Sequence, residues 1–216
     1  MMRYYPIYLD LKGRDVLVVG GGAIAEGKAL QLVDAGARVK VVSPDLSEPL
    51  DRLVKQDAIQ YRKGRFVEED LYGVVLVISA TDDRAVNEIV AAAAAQRGIL
   101  FNAVDQPDLC NFITPALVTR GDLQISVSTG GGSPTLTQRV KREVATLIGE
   151  EYGVLLEMAT EMRGEAKGRI ADFERRKTAL RAFVESDAID LIRAGKHNEA
   201  RELARQYLQE FERNEE

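Results

Sequence analysis

Short unbroken apolar runs and helical-period stripes alternate along the first half of the chain. Val16 to Val19 is apolar throughout and ends in three glycines, the pattern of a strand buried on both faces. Ala25, Ala29, Leu32, Val33 and Ala37 then follow helical spacing, with Gly36 where a helix end commonly needs a left-handed residue. Arg38 to Val42 predicts a second strand and Val74 to Ile78 another. Asp82 or Asp83 can cap a helix from about Arg84 to Gln96, with Asp82 assigned to that role, and Ile99 to Val104 predicts a further strand. Such alternation implies parallel strands joined by right-handed crossovers, with ligands outside the carboxyl ends of the strands.

The pattern changes after Pro115. Ala116 to Thr119 and Leu123 to Ser128 read as two strands joined through Arg120-Gly121-Asp122. Ser133 then caps a helix that Pro134 begins, with Leu136, Val140, Val144, Leu147 and Ile148 along one side as a partner-facing stripe. From about Glu150 only helical periods remain: Leu155, Met158 and Met162, then Ile170, Phe173, Leu180 and Phe183, and last Ala200, Leu203, Ala204, Tyr207 and Phe211. These stripes predict the core of three or four helices, with Gly195 before the last, because mixed charges on the polar faces do not suit a membrane surface. The expected architecture is an α/β parallel-sheet domain over 1–114, a small α+β dimerisation segment over 115–149 and a helical C-terminal domain over 150–216.

Composition narrows the function classes. Of 216 residues, 45% are hydrophobic and 29% charged, ordinary values for a folded domain. The apolar stretch from 85 to 95 is far short of the ~20 residues that span a bilayer. The first ten residues carry no apolar core or small-residue cleavage site, so neither a membrane span nor a secretory leader is expected and the protein is placed in the cytoplasm. A formal net charge of −5 argues against nucleic acid. One cysteine and one histidine argue against an internal disulfide and a structural zinc site. Cys110 has no neighbouring histidine or lysine to activate it, and Tyr4, Tyr5 and Tyr8 are expected to cover a sheet edge.

Gly20-Gly21-Gly22-Ala23-Ile24-Ala25 fits G-x-G-x-x-A between a buried strand and a helix, the Rossmann-like dinucleotide signature. Gly20 permits the turn, Gly22 lets a pyrophosphate approach, and Ala25 allows close helix packing. A turn used only for packing, or for another adenosyl ligand, is the alternative. At the end of the second strand either Ser43 or Asp45 can hold a ribose hydroxyl beside Pro44, and no arginine follows at once to meet a 2′-phosphate, which favours NAD over NADP. Thr81 ends the next strand and can line the cofactor. Asp105, after Asn102-Ala103-Val104, is the candidate base; a solvated loop carboxylate is the competing reading. Thr129-Gly130-Gly131-Gly132-Ser133-Pro134 is a second glycine-rich turn into a helix, suited to carboxylates or phosphates or serving as a simple turn.

In order, Y-P-I-Y at 5–8, G-G-G-A-I-A-E-G-K-A at 20–29, A-G-A-R-V-K-V-V-S-P at 35–44, S-A-T-D-D at 79–83, N-A-V-D at 102–105, F-I-T-P-A at 112–116 and V-S-T-G-G-G-S-P at 127–134 resemble the siroheme-synthase family of precorrin-2 dehydrogenases and sirohydrochlorin ferrochelatases. The resemblance covers essentially the whole chain. It implies NAD-dependent oxidation of precorrin-2 to sirohydrochlorin by a homodimer, with Asp105 as proton acceptor or pyrrole-orienting group. It implies Gly20, Gly21, Gly22, Ala23, Ile24, Ser43, Pro44, Asp45 and Thr81 at the cofactor, and Asn102, Thr129, Gly130, Gly131 and Ser133 at the substrate. Arg120 and Arg139 are plausible partners for its eight carboxylates. The pattern departs at Gly27, where the family often has a basic residue, with Lys28 retained, and at Thr129, where a serine is common. The chain ends after the helical segment, so no fused methyltransferase domain is expected. Insertion of ferrous or cobaltous ion is left open, and an NAD-sensing binding protein or a dedicated chelatase remain the alternatives.

Overall fold

Apolar runs flanked by glycine become the central strands of a parallel sheet in the computed structural model, which describes residues 4–213. Residues 1–3, part of the segment read for a leader, lie outside the described residues. Two units divide the chain, 1–114 and 115–216.

In the first unit the strands are β1 (Asp15–Val19), β2 (Arg38–Ser43), β3 (Gln60–Lys63), β4 (Val74–Ser79) and β5 (Leu100–Ala103), in the order β3-β2-β1-β4-β5, all parallel. Helices α1 (Ala23–Asp34), α2 (Glu48–Lys55) and α3 (Arg84–Gln96) connect them. Val16 to Val19 is buried on both faces because apolar clusters form on each side of β1: Leu17 and Val19 pack with α3, while Val16 and Val18 pack with Ala25, Ala29 and Leu32 of α1. Tyr5 and Tyr8, expected over a sheet edge, are 82% and 62% exposed. Their segment leads into β1, the middle strand, whereas the edges are β3 and β5.

One buried charge locks the β3 side. Asp70 accepts from Lys40 Nζ at 2.7 Å, Arg62 Nε at 2.7 Å and the Val67 amide at 3.0 Å, and its second oxygen also meets Arg62 Nη2. Burial raises its pKa, but the bonds from Arg62, Lys40 and Val67 outweigh that and hold it below the ordinary carboxylate value. Asp70→Ala is expected to cost about 2–4 kcal/mol, less than a fully dry pair because Lys40 and Arg62 stay partly in water. A carboxylate whose pKa is depressed on folding stabilises above its unfolded value and loses that contribution as pH falls. Urea titrations should therefore show the gap between wild type and variant narrowing below about pH 4.

In the second unit β6 (Ala116–Arg120) and β7 (Leu123–Val127) pair antiparallel around a Gly121-Asp122 turn, and α4 (Pro134–Leu147) follows. Then come α5 (Glu151–Arg169), α6 (Phe173–Val184), α7 (Ala188–Arg193) and α8 (His197–Arg213). Leu155, Met158, Met162, Ile170, Phe183 and Leu208 form their shared core. Phe173 is not part of it: the ring opens α6, is 64% exposed and carries the Arg176 guanidinium 5.7 Å from its centre. No residue of α4 is buried, and Leu147 is 73% exposed.

Candidate active site at the carboxyl ends of the strands

Strand order reverses at β1, so the chain leaves β1 toward β2 and returns on the other side to β4, opening a crevice where ligands bind in such sheets. The three glycines fill it unequally. Gly20 has φ +123°, and a Cβ there would lie 2.4 Å from the Ala80 carbonyl oxygen. A Cβ on Gly21 would lie 2.0 Å from the Asp45 carbonyl oxygen and 2.7 Å from Ser43 Oγ. At Gly22 nothing lies within 4 Å. The first two glycines thus close the protein on itself, and the third leaves free space in front of the α1 N-terminus. Gly22 is the N-cap of α1 and supplies no side chain to its first-turn amides, so the Ala23 and Ile24 end of the helix is left uncapped by any side chain. Those amides and the helix dipole form an anion site.

Beside it, Gly21, Gly22 and the segment Ser43–Ser47 line an open cavity of ≈ 420 Å³. Tyr61 holds this rim by donating its hydroxyl to the Ser43 carbonyl at 2.9 Å, and the Ser47 amide bonds the Gly21 carbonyl at 2.8 Å. Ser43 is buried at the tip of β2, whereas the Asp45 side chain is 91% exposed with Lys63 Nζ 3.8 Å away. Ser47 precedes α2 yet caps nothing, and its Oγ is buried without a partner. An orphaned hydroxyl, an open glycine and an uncapped helix start together fit a dinucleotide.

Across the crevice, Thr81 follows β4. Its carbonyl accepts from Asn87 Nδ2 at 3.0 Å, and Asn87 Oδ1 accepts from Ser79 Oγ at 2.5 Å. Asn87, fully buried on α3, therefore sets the course of this loop. Asp83, not Asp82, caps α3, accepting from the Ala85 and Val86 amides at 3.0 and 3.3 Å. The helix begins at Arg84, which places Asp83 at the position whose side chain reaches those amides.

Asp105 is exposed on the loop after β5 with φ +60°, a left-handed conformation that aspartate tolerates better than most residues. The loop is tied down behind it. Cys110 Sγ lies 3.3 Å from the Ala103 and Gln106 carbonyls and accepts from the Ala103 amide at 3.2 Å. Burial pushes the Cys110 thiol pKa up, so it stays protonated and structural. Asn102, largely buried, donates Nδ2 to the Phe112 carbonyl at 3.0 Å. Asn111 bonds the Phe101 amide and the Ile99 carbonyl.

The second glycine turn stands in the other unit. Gly130 and Gly131 have φ +64° and +86° with no atom within 4 Å of an added Cβ, so the turn has open space on that side, although the Gly130 amide is donated to Ser128 Oγ at 3.1 Å. Thr129 Oγ1 accepts from the Ser133 amide at 3.1 Å and lies 2.9 Å from Thr137 Oγ1, while Ser133 Oγ accepts from the Leu136 amide at 3.2 Å. Both hydroxyls brace the turn into α4. Arg120 is no substrate arm: its guanidinium covers the Ala145 and Ile148 carbonyls at the end of α4, each at 2.9 Å. Arg139 pairs with Glu143 at 2.9 Å. Sequence reading passed over Ser47, Tyr61 and Asn87. Among the described residues no cluster of metal-ligating side chains and no helix long and apolar enough to cross a membrane is present.

An NAD(P)-binding family model matches residues 7–116, a sirohaem biosynthesis protein central model 120–147, and a sirohaem synthase dimerisation region model 151–208. Siroheme synthase of Thioalkalivibrio sulfidiphilus is 39% identical over 208 residues, covering 96% of this chain and 42% of the relative. That of Nitrosomonas eutropha is 38% identical over 202 residues, covering 93% and 42%. The chain thus spans less than half the length of these curated relatives. The solved structure of SirC, a precorrin-2 dehydrogenase, superposes with a TM-score of 0.79 at 29% identity, over 97% of this chain and all of that one. The amide cradle at the sheet crevice is the part of this match that sequence and geometry reach independently, and the chain is a member of the siroheme-synthase family with an NAD(P)-binding first unit.

Proposed function

We propose that the chain is an NAD-dependent precorrin-2 dehydrogenase, a cytoplasmic homodimer that oxidises precorrin-2 to sirohydrochlorin. The observation that carries this reading is the open Gly22 cradle beside the 420 Å³ cavity, because a chelatase has no use for a dinucleotide site. Likeness to a solved precorrin-2 dehydrogenase over nearly the whole chain supports the substrate. The unburied α4 stripe and the dimerisation-region match support the second copy.

The bound cofactor supplies a hydride acceptor. Gly22, Ala23 and Ile24 hold its pyrophosphate by backbone amides, and Ser43, Pro44, Asp45 and Thr81 line the adenosine side and the crevice. An exposed carboxylate at Asp45 disfavours a 2′-phosphate, which selects NAD. Precorrin-2 loses two hydrogens, one as hydride and one as a proton. Asp105 takes that proton or orients the pyrrole that yields it. Asn102 fixes the Asp105 loop, while the turn Thr129, Gly130, Gly131 and Ser133 meets substrate carboxylates through the Gly131 amide, the Gly130 and Ser133 amides being donated within the turn to Ser128 Oγ and Thr129 Oγ1.

Ser47→Ala separates a cofactor contact from a fold contact. The hydroxyl bonds no protein group, so its loss should leave the melting temperature unchanged or slightly raised. Calorimetric NAD affinity is expected to fall roughly three- to tenfold, the worth of one neutral hydrogen bond.

The function itself is tested anaerobically with enzymatically generated precorrin-2 and NAD, followed by ferrous or cobaltous ion. NADH formed in step with sirohydrochlorin is expected. Binding of NAD with no turnover would support a sensor, and metal insertion into sirohydrochlorin without any NAD-dependent step would support a chelatase.

A further inference from the structure

Lys28 lies on α1 one turn beyond Ile24, on the same face of the helix. Its Nζ is 3.4 Å from Thr114 Oγ1, and among the described residues no ion pair involves it. Lys28 is a half-buried residue, while the Thr114 hydroxyl belongs to an exposed one. Burial alone pushes the Lys28 pKa down, with no carboxylate contributing to hold it up. A half-buried cation with only a hydroxyl beside it has given up hydration without gaining a counter-charge.

Its surroundings show which anion it is placed to meet. Phe112 packs in the same apolar cluster as Ala25 and Ala29 of α1, and its carbonyl is held by Asn102 at the end of β5. Thr114 follows Phe112 on the segment that leaves the loop after β5, so Lys28 meets the chain a few residues past the Asp105 loop. The adenosine cavity is built instead from Ser43–Ser47, after β2. Lys28 is also six residues beyond Gly22, roughly 9 Å along the helix, and so is removed from the first-turn amides that suit a pyrophosphate.

We propose that Lys28 and Thr114 together form a receptor for one carboxylate of the tetrapyrrole, the ammonium supplying charge and the hydroxyl a second donor. This deepens the functional reading above and rests on it. Binding of an octacarboxylate then restores the counter-charge the free protein lacks, which makes Lys28 a specificity residue for substrate and not a member of the proton-transfer site.

The experiment compares wild type, Lys28→Met and Lys28→Arg by anaerobic titration with sirohydrochlorin and, separately, with NAD. Lys28→Met is expected to weaken sirohydrochlorin binding about tenfold, the lower range for a charge-assisted bond, and to leave NAD binding unchanged. Lys28→Arg should recover most of the loss. Because the ammonium has no counter-charge in the free protein and only a long 3.4 Å bond to Thr114, Lys28→Met should melt no lower than wild type, whereas a purely structural lysine would lower the melting temperature. Unchanged sirohydrochlorin affinity in Lys28→Met overturns the proposal, as does a loss confined to NAD, which would assign the cation to a cofactor phosphate. A wild-type chain that binds NAD but no sirohydrochlorin overturns the dehydrogenase reading itself.

Discussion

Asp105→Asn is expected to lower precorrin-2 turnover by roughly 10²–10⁴, the usual contribution of a positioned general base. Asparagine is the informative replacement because Asp105 holds φ +60°, where an asparagine is nearly as comfortable as an aspartate. Alanine there adds backbone strain of about 1–2 kcal/mol and confuses a chemical effect with a moved loop. The loop is otherwise held from behind by Cys110, Asn111 and Asn102, none of which touches the Asp105 carboxylate. NAD affinity and melting temperature should therefore match wild type while single-turnover NADH formation collapses. Asparagine keeps one acceptor oxygen but cannot take a proton. An Asn variant that retains turnover while the Ala variant loses it would assign Asp105 to orienting a pyrrole, and full turnover in both would remove it from the chemistry.

Much of the first unit was legible because its central strands are unusual in a simple way. Val16 to Val19 and Val74 to Ile78 have no polar side to show, which only a sheet covered on both faces allows. The α2–β3 stretch was not legible. Gln60-Tyr61-Arg62-Lys63 is polar because β3 is an edge strand, where charge blunts further pairing and erases the apolar signal. Asp82 and Asp83 are chemically the same residue, and only the start of α3 at Arg84 separates them.

The candidate site was legible to the degree that it is made of backbone. Gly20 to Ile24 announce themselves because amide donors need glycine, whatever follows elsewhere in the chain. Side-chain roles depend on partners distant in sequence, and these misled. Arg120 looks free until α4 returns its carbonyls from 25 and 28 residues away. Ser47 carries no signal in the sequence, because only the fold shows its hydroxyl buried and unused ahead of α2. Buried Asn87 was passed over for the same reason: its partners, Ser79 and the Thr81 carbonyl, come from the end of β4 and the loop after it.

Two neighbouring glycines should respond to the same substitution in opposite ways. Gly22 has φ −90°, which any residue adopts, and an added methyl meets nothing. Gly22→Ala should therefore fold with wild-type stability. The methyl instead occupies the space in front of the α1 amides, so NAD affinity is expected to fall roughly 10–100-fold, equivalent to one lost charged hydrogen bond. At Gly21 the methyl would press 2.0 Å from the Asp45 carbonyl, part of a backbone pinned by Tyr61 and by the Ser47 amide. That oxygen is backbone, not the free end of a side chain, so the strand-to-helix turn or the cavity rim must move. Gly21→Ala should cost at least about 2 kcal/mol, read as a melting temperature lower by roughly 5–15 °C, before any ligand is added. The comparison needs only thermal scans with and without NAD. Stability lost at Gly21 and affinity lost at Gly22 would locate the boundary between the protein's own packing and the cofactor it receives. A Gly22→Ala protein that binds NAD normally would move the pyrophosphate away from the α1 N-terminus and withdraw the observation on which the dehydrogenase reading rests.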